Sequence, residues 1–203
     1  MRNKTYIGLL LSCVFATCEP IPALAVEDRV PTADDVIAVM SQIPEERCLY
    51  GQQACRERAG HYEHGPDARR IAEAIVAAAD GSLTGTRLGD ASLMAVFTSY
   101  ESGNDASARG DCKDADRRLC RSNGAFQLMF ITPEVAFDPA QAAPVWRAIA
   151  RGSIKACKDN PDDEKLASVA GSCSFWKARQ KVRQRVQLAR EQAASLTALR
   201  ASL

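Results

Sequence analysis

Apolar and polar positions along the chain alternate mostly with helical spacing. Ala68, Ile71, Ala72, Ile75, Val76 and Ala79 fall on one face of a helix that opens at Pro66-Asp67 and stops at Asp80-Gly81. Upstream, Thr32 is placed to cap a helix carrying Asp34 and Asp35 in its first turn and Val36, Ile37, Val39 and Met40 on its apolar face. Leu93, Met94, Val96, Phe97 and Tyr100 predict a helix buried on most sides, with Asp90 as its N-cap and Glu101-Ser102-Gly103 at its end. Residues 104–123 carry almost no apolar side chain and read as a surface loop. Thr132-Pro133-Glu134 marks a helix start, with proline at the first helical position. Helices are further expected from Pro139 to Cys157, interrupted near Pro144, from Pro161 to Gly171, and from Ser174 to Leu203. Residues 45–65 read as a polar, cysteine-bearing loop, and no segment reads as a strand. The expectation is a mostly α domain.

The first 25 residues change the picture. Arg2 and Lys4 precede the apolar run Tyr6–Ala16, and Ala23-Leu24-Ala25 forms a small-residue cleavage site. This is the pattern of a secretory signal peptide, and the run is too short to span a bilayer. Residues 26–203 then form a single domain, its core at about 66–190, exported to the periplasm or secreted. Removing Arg2, Lys4 and Glu19 from 26 basic and 25 acidic residues leaves a balanced mature chain. No net field draws it to nucleic acid, and no other run is long enough for an integral membrane segment. Hydrophobic residues at 46% and charged residues at 25% exclude wholesale disorder.

Six cysteines remain after cleavage: Cys48, Cys55, Cys112, Cys120, Cys157 and Cys173. An even number in an exported chain predicts three disulfides, and the count leaves fifteen connectivities open. Sequential proximity favours Cys48–Cys55, Cys112–Cys120 and Cys157–Cys173. There is no C-x-x-C, and the two histidines, His61 and His64, sit together in a glycine-flanked segment. A zinc site and any other metal or cofactor are therefore not expected.

Glu101 is the candidate for chemistry. A carboxyl at the end of an apolar helix lies among low-dielectric walls, near the negative end of the helix dipole, and both favour its neutral, proton-donating form. Tyr100-Glu101-Ser102-Gly103-Asn104 is followed by Ser122-Asn123-Gly124-Ala125-Phe126-Gln127-Leu128-Met129. Together these resemble the lytic transglycosylases of the lysozyme-like superfamily. There a catalytic Glu lies in an E-S-x-x-[ND] segment at a helix end, and a G-x-x-Q-[LI]-M segment follows. Leu166–Gly171 is similar to a degraded form of the family's A-x-Y-N-A-G segment. The resemblance covers about residues 90–190.

The resemblance implies a lysozyme-like helical domain with disulfide-stapled loops. It implies that Glu101 is the general acid and base and that Ser102 holds it or the substrate. By the same resemblance Gly124 lets the backbone pass close to sugar, Gln127 supports the cleft and Met129 lies on its wall, with Ser122 and Ser168 as further substrate contacts. Three departures stand out. The gap between Glu101 and Gln127 is long and contains Cys112 and Cys120, which reads as a stapled insertion. Ser168 and Val169 replace the family's Tyr and Asn. Ser122 stands where animal-type lysozymes carry an Asp. Asp105, Asp111, Asp114 and Asp116 match no family position and read as a solvated cluster.

The implied partners are the glycan strands of peptidoglycan. The implied reaction is single-Glu cleavage of the MurNAc–GlcNAc bond with 1,6-anhydro-muramyl products. A lysozyme-type hydrolase, or a non-catalytic envelope protein binding glycan or an envelope protein, are the alternatives. The C-terminal basic residues Lys177, Arg179, Lys181, Arg183, Arg185 and Arg190 read as a solvated face, with Val182, Val186 and Ala189 turned inward.

Overall fold

The computed structural model describes residues 29–43, 65–112, 120–156 and 176–202. The signal segment, Cys48, Cys55, His61, His64, Asp114, Asp116, Cys157, Ser168, Cys173 and the helix expected at 161–171 lie outside the described residues. Within them the chain is mostly helical, with a small sheet. In order come α1 (Ala33–Ser41), α2 (Ala68–Ala78), α3 (Arg87–Ser102), β1 (Arg109–Cys112), β2 (Cys120–Asn123), β3 (Leu128–Met129), α4 (Pro133–Ala136), α5 (Pro139–Ala156) and α6 (Trp176–Ala201).

The expected caps form at α1. Thr32 Oγ1 accepts from the Asp35 N–H, and the Asp35 carboxylate accepts from the Thr32 N–H at 2.7 Å. This capping box satisfies two orphan donors of the first turn. Asp35 is buried, where its carboxylate meets the guanidinium groups of Arg29, at 2.7 Å, and of Arg200 at the far end of α6. Buried Val36, Val39 and Met40 seat α1 on α2 and α3.

Helix α3 is the centre of the domain. Every residue from Gly89 to Ser99 is buried, and α1, α2 and α6 all pack against it. Its N-cap is Thr86, whose side chain accepts from the Gly89 N–H, rather than Asp90. Both are good capping types, and burial decides between them. Asp90 is fully buried inside the first turns and accepts instead from the N–H groups of Leu83 and Thr84 and from the Thr84 hydroxyl. Burial pushes its carboxyl above the ordinary range, against those hydrogen bonds, which pull it down.

Residues 104–123 depart from the expected surface loop. β1, β2 and β3 form an antiparallel sheet in that order, with Arg109 opposite Asn123, Gly110 opposite Ser122, Cys112 opposite Cys120 and Ser122 opposite Met129. The strands carry few apolar side chains, so no alternation announces them. Backbone pairing and the Cys112–Cys120 disulfide, of the three expected the one that lies among the described residues, hold them together. Asn104, Ala106, Ser122 and Asn123 are buried. Helix α5 passes through Pro144 without the expected break. Pro144 and Ala140 are both exposed, so water can take the carbonyl that the missing N–H would have bonded. Trp146 of α5 packs on Phe97 of α3 and on Phe126, with ring centroids 5.0 and 6.0 Å away, and so ties the β2–β3 turn to the core.

Candidate active site around Glu101

Both ends of α3 leave the core, the N-terminal end at exposed Arg87 and the C-terminal end at half-buried Tyr100 and Glu101. Gly103 terminates the helix in the left-handed conformation, its N–H bonded to the Ser99 carbonyl at 3.0 Å. Glu101, one residue from the end, keeps a fifth of its side chain exposed. The chain beyond is clamped. Asn104 Nδ2 donates to Ser99 Oγ at 3.1 Å, and the Ala106 N–H donates to the Asp67 carboxylate at 2.9 Å. Ser102 is buried and spends its hydroxyl hydrogen on the Thr98 carbonyl at 2.8 Å. It therefore braces the helix end from inside.

The carboxylate is not left among apolar walls alone. Arg185 Nη1 of α6 donates to Glu101 Oε1, in an ion pair joining positions 84 residues apart. The guanidinium lies over the rings of Phe97 and Tyr100, 4.9 and 5.3 Å from their centroids. Its side chain is only 3% exposed. This corrects the solvated-face reading at Arg185 alone, since Arg190 is exposed as expected. Arg185 stands on the buried side of α6 with Val186, Leu188, Ala189, Gln192 and Leu196, whereas Arg190 and Glu191 are exposed. The signal was available: Arg185, Ala189, Gln192 and Leu196 follow helical spacing, so the arginine falls on the stripe that packs. The side chains of Lys177, Arg179, Lys181, Val182 and Arg183 lie outside the described residues.

The second group of expected residues gathers at the sheet. Gln127, itself in the left-handed region, donates from Nε2 to the Gly124 carbonyl at 2.8 Å and to the Ala108 carbonyl at 3.5 Å. Ala108 also accepts from the Gly124 N–H at 2.8 Å, so one amide closes the 124–127 turn onto the strand that follows Glu101. Gln127 Oε1 packs over Gly110, where a Cβ would lie 2.1 Å from it. Ser122 is buried opposite Gly110.

Gly124 has a positive φ of 76°, and a Cβ there would stand 1.7 Å from the Ala136 carbonyl oxygen. The close approach that demands glycine is thus to the protein's own backbone. Met129 is 44% exposed on the sheet, next to Phe130 at 88%. Glu101 and Gln127 share no hydrogen bond among the described residues. What joins them is the short connection through Asn104–Ala108.

Asp105 accepts from the Ser107 N–H and hydroxyl at 2.8 and 2.7 Å and is committed to that turn. Asp111 lies in β1. Among the described residues no three His, Cys, Asp or Glu side chains are grouped to hold a metal, and no helix is long and apolar enough to cross a membrane. Compared with models of known families, with curated proteins and with solved structures, the chain has no match.

Proposed function

We propose that the chain is an exported peptidoglycan-cleaving enzyme of the lytic transglycosylase type, built on a lysozyme-like helical domain. The observation that carries the reading is Glu101: a partly exposed carboxyl at the C-terminal end of the central helix, followed eight residues later by a disulfide-closed antiparallel hairpin. Glu101 protonates the glycosidic oxygen between N-acetylmuramic acid and N-acetylglucosamine as the C1–O bond breaks. The substrate's 2-acetamido oxygen stabilises the oxocarbenium-like centre. The Glu101 carboxylate then takes the proton of the muramyl 6-hydroxyl while that oxygen bonds to C1, which closes the anhydro ring and restores the acid.

A retaining hydrolase would need a second carboxylate about 5–5.5 Å from the first. Among the described side chains Asp105 is spent on its own turn, and Ser122 stands where animal-type lysozymes carry an Asp, and both support the transglycosylase over the hydrolase. One observation favours a non-catalytic scaffold: the ion pair with Arg185, which gives Glu101 a structural reason to be present.

Incubation with purified sacculi, followed by mass spectrometry of the soluble products, separates the readings. Anhydro-muramyl ends that fall at least ~10²-fold in Glu101→Gln support the transglycosylase. Reducing ends mean that water is the acceptor. Retained binding without products leaves the scaffold.

A further inference from the structure

We propose that Arg185 is a positioning residue for Glu101, fixing its carboxyl through Oε1 and making the C-terminal helix part of the active site. The proposal rests on the reading of Glu101 as the acid and base. Arginine is almost never fully buried unless paired, because desolvating the guanidinium is costly. Here the side chain is 3% exposed, and Glu101 is its carboxylate partner among the described residues.

The seat for the cation is built rather than incidental. Phe97 and Tyr100 lie one turn and one residue before Glu101 on α3, and both present ring faces to the guanidinium. A planar, delocalised cation can stack there and still donate, which a lysine ammonium cannot reproduce. The Nε–H of Arg185 is buried without a hydrogen-bond partner. An unsatisfied donor of that kind is tolerated where a group is held for function rather than for greatest stability.

The contact uses one oxygen only. Among the described residues Glu101 Oε2 has no protein hydrogen-bond partner, and it is the oxygen left to exchange a proton with substrate. When that proton passes to the glycosidic oxygen, the carboxylate left behind already has a cation on Oε1. When the carboxylate takes the 6-hydroxyl proton, the same contact holds its rotamer. Arg185 itself neither gains nor loses a proton.

The test uses the full chain with Arg185→Met, which keeps the length and the packing on the rings, and Arg185→Lys, which keeps the charge but not the planar fork. Rates of anhydro-product release from sacculi are resolved into kcat and KM. Glu101 reactivity towards a water-soluble carbodiimide and an amine is read by peptide mass spectrometry. A charge-assisted bond of this kind predicts about a 10- to 100-fold loss of kcat in Arg185→Met, with KM little changed and Arg185→Lys in between. Glu101 should label faster in both variants. A folded Arg185→Met protein with wild-type kcat and wild-type labelling overturns the proposal. If Arg185→Met does not fold, Arg185→Lys decides by the same criteria. If the wild type releases no products, the proposed reaction fails on its own, and labelling still judges Arg185: faster labelling keeps it as the residue holding Glu101, and unchanged labelling removes it.

Discussion

Replacing Glu101 with Gln should destabilise the fold as well as the chemistry. From sequence no ion pair is identifiable at this position, so the expectation is that folding survives the substitution. The structure places the carboxylate against a guanidinium that is 97% removed from solvent. Breaking a buried ion pair by removing one partner costs about 3–5 kcal/mol. Three features lower that figure here. Gln keeps an acceptor oxygen for Nη1. Glu101 is one-fifth exposed, so water already shares its charge. The rings of Phe97 and Tyr100 remain over the cation, each worth about 0.5–2 kcal/mol.

What is lost is then the difference between a charged and a neutral acceptor, about 2 kcal/mol. Against a total stability of about 5–15 kcal/mol the variant still folds. With a urea slope of about 1–3 kcal/mol/M, its midpoint falls by about 1 M. Urea unfolding followed by circular dichroism measures this directly. The double-mutant cycle with Arg185→Met isolates the pair, with an expected coupling of about 1.5–3 kcal/mol. A Glu101→Gln midpoint at the wild-type value, together with additive single substitutions, would mean that the Glu101–Arg185 pair adds nothing to the stability of the fold.

Gly124→Ala forces a positive φ and drives a Cβ into the Ala136 carbonyl, so it should cost at least about 3 kcal/mol in urea melts. Gly85→Ala, with φ of 95° and open space around it, should cost only about 1 kcal/mol. The raised Asp90 carboxyl binds its proton more tightly in the folded state, so its contribution to stability falls as pH rises from the ordinary carboxylate range through its folded value. Melts from about pH 3 to pH 7 should therefore show Asp90→Asn gaining on the wild type as pH rises, and a pH-independent difference would contradict this. Exchanging residues 113–119 for a two-residue Asn-Gly turn keeps the β1–β2 pairing. It should alter the chain lengths of released glycan, by mass spectrometry, while leaving the unfolding free energy within about 0.5 kcal/mol of wild type.

The helical parts of this fold were legible because local chemistry decided them. Thr32 and Asp35 cap each other three residues apart, Ile71 and Ile75 share a face, and Pro133 opens α4 at its first position. The strands were not legible, since Arg-Gly-Asp-Cys and Cys-Arg-Ser-Asn owe their pairing to each other and to a disulfide, not to an apolar face. Asp90 has the chemistry of a cap, but the 83–84 loop folds back and claims its carboxylate, and Thr86 caps α3 in its place. Glu101 stood out through the helix that precedes it. Its partner did not, because charge alone suggested solvent for Arg185, while its place on the α6 stripe pointed inward.

That stripe also bounds how far the loss of one pair can spread. Arg185 and Arg200 lie fifteen residues apart on α6, about 22 Å at 1.5 Å per residue. Each reaches a carboxylate on a different element, Glu101 on α3 and buried Asp35 on α1. Between them Leu188, Ala189, Gln192 and Leu196 are buried. Docking of α6 therefore has two polar anchors and an apolar seam, and removing one anchor leaves the other and the seam in place. A disturbance at Glu101 should stay at the near end of α6. Amide exchange in Glu101→Gln should accelerate around Arg185 and remain at the wild-type rate around Leu196. Uniform acceleration along the helix would mean that the Glu101 pair, and not the seam, holds α6 to the domain.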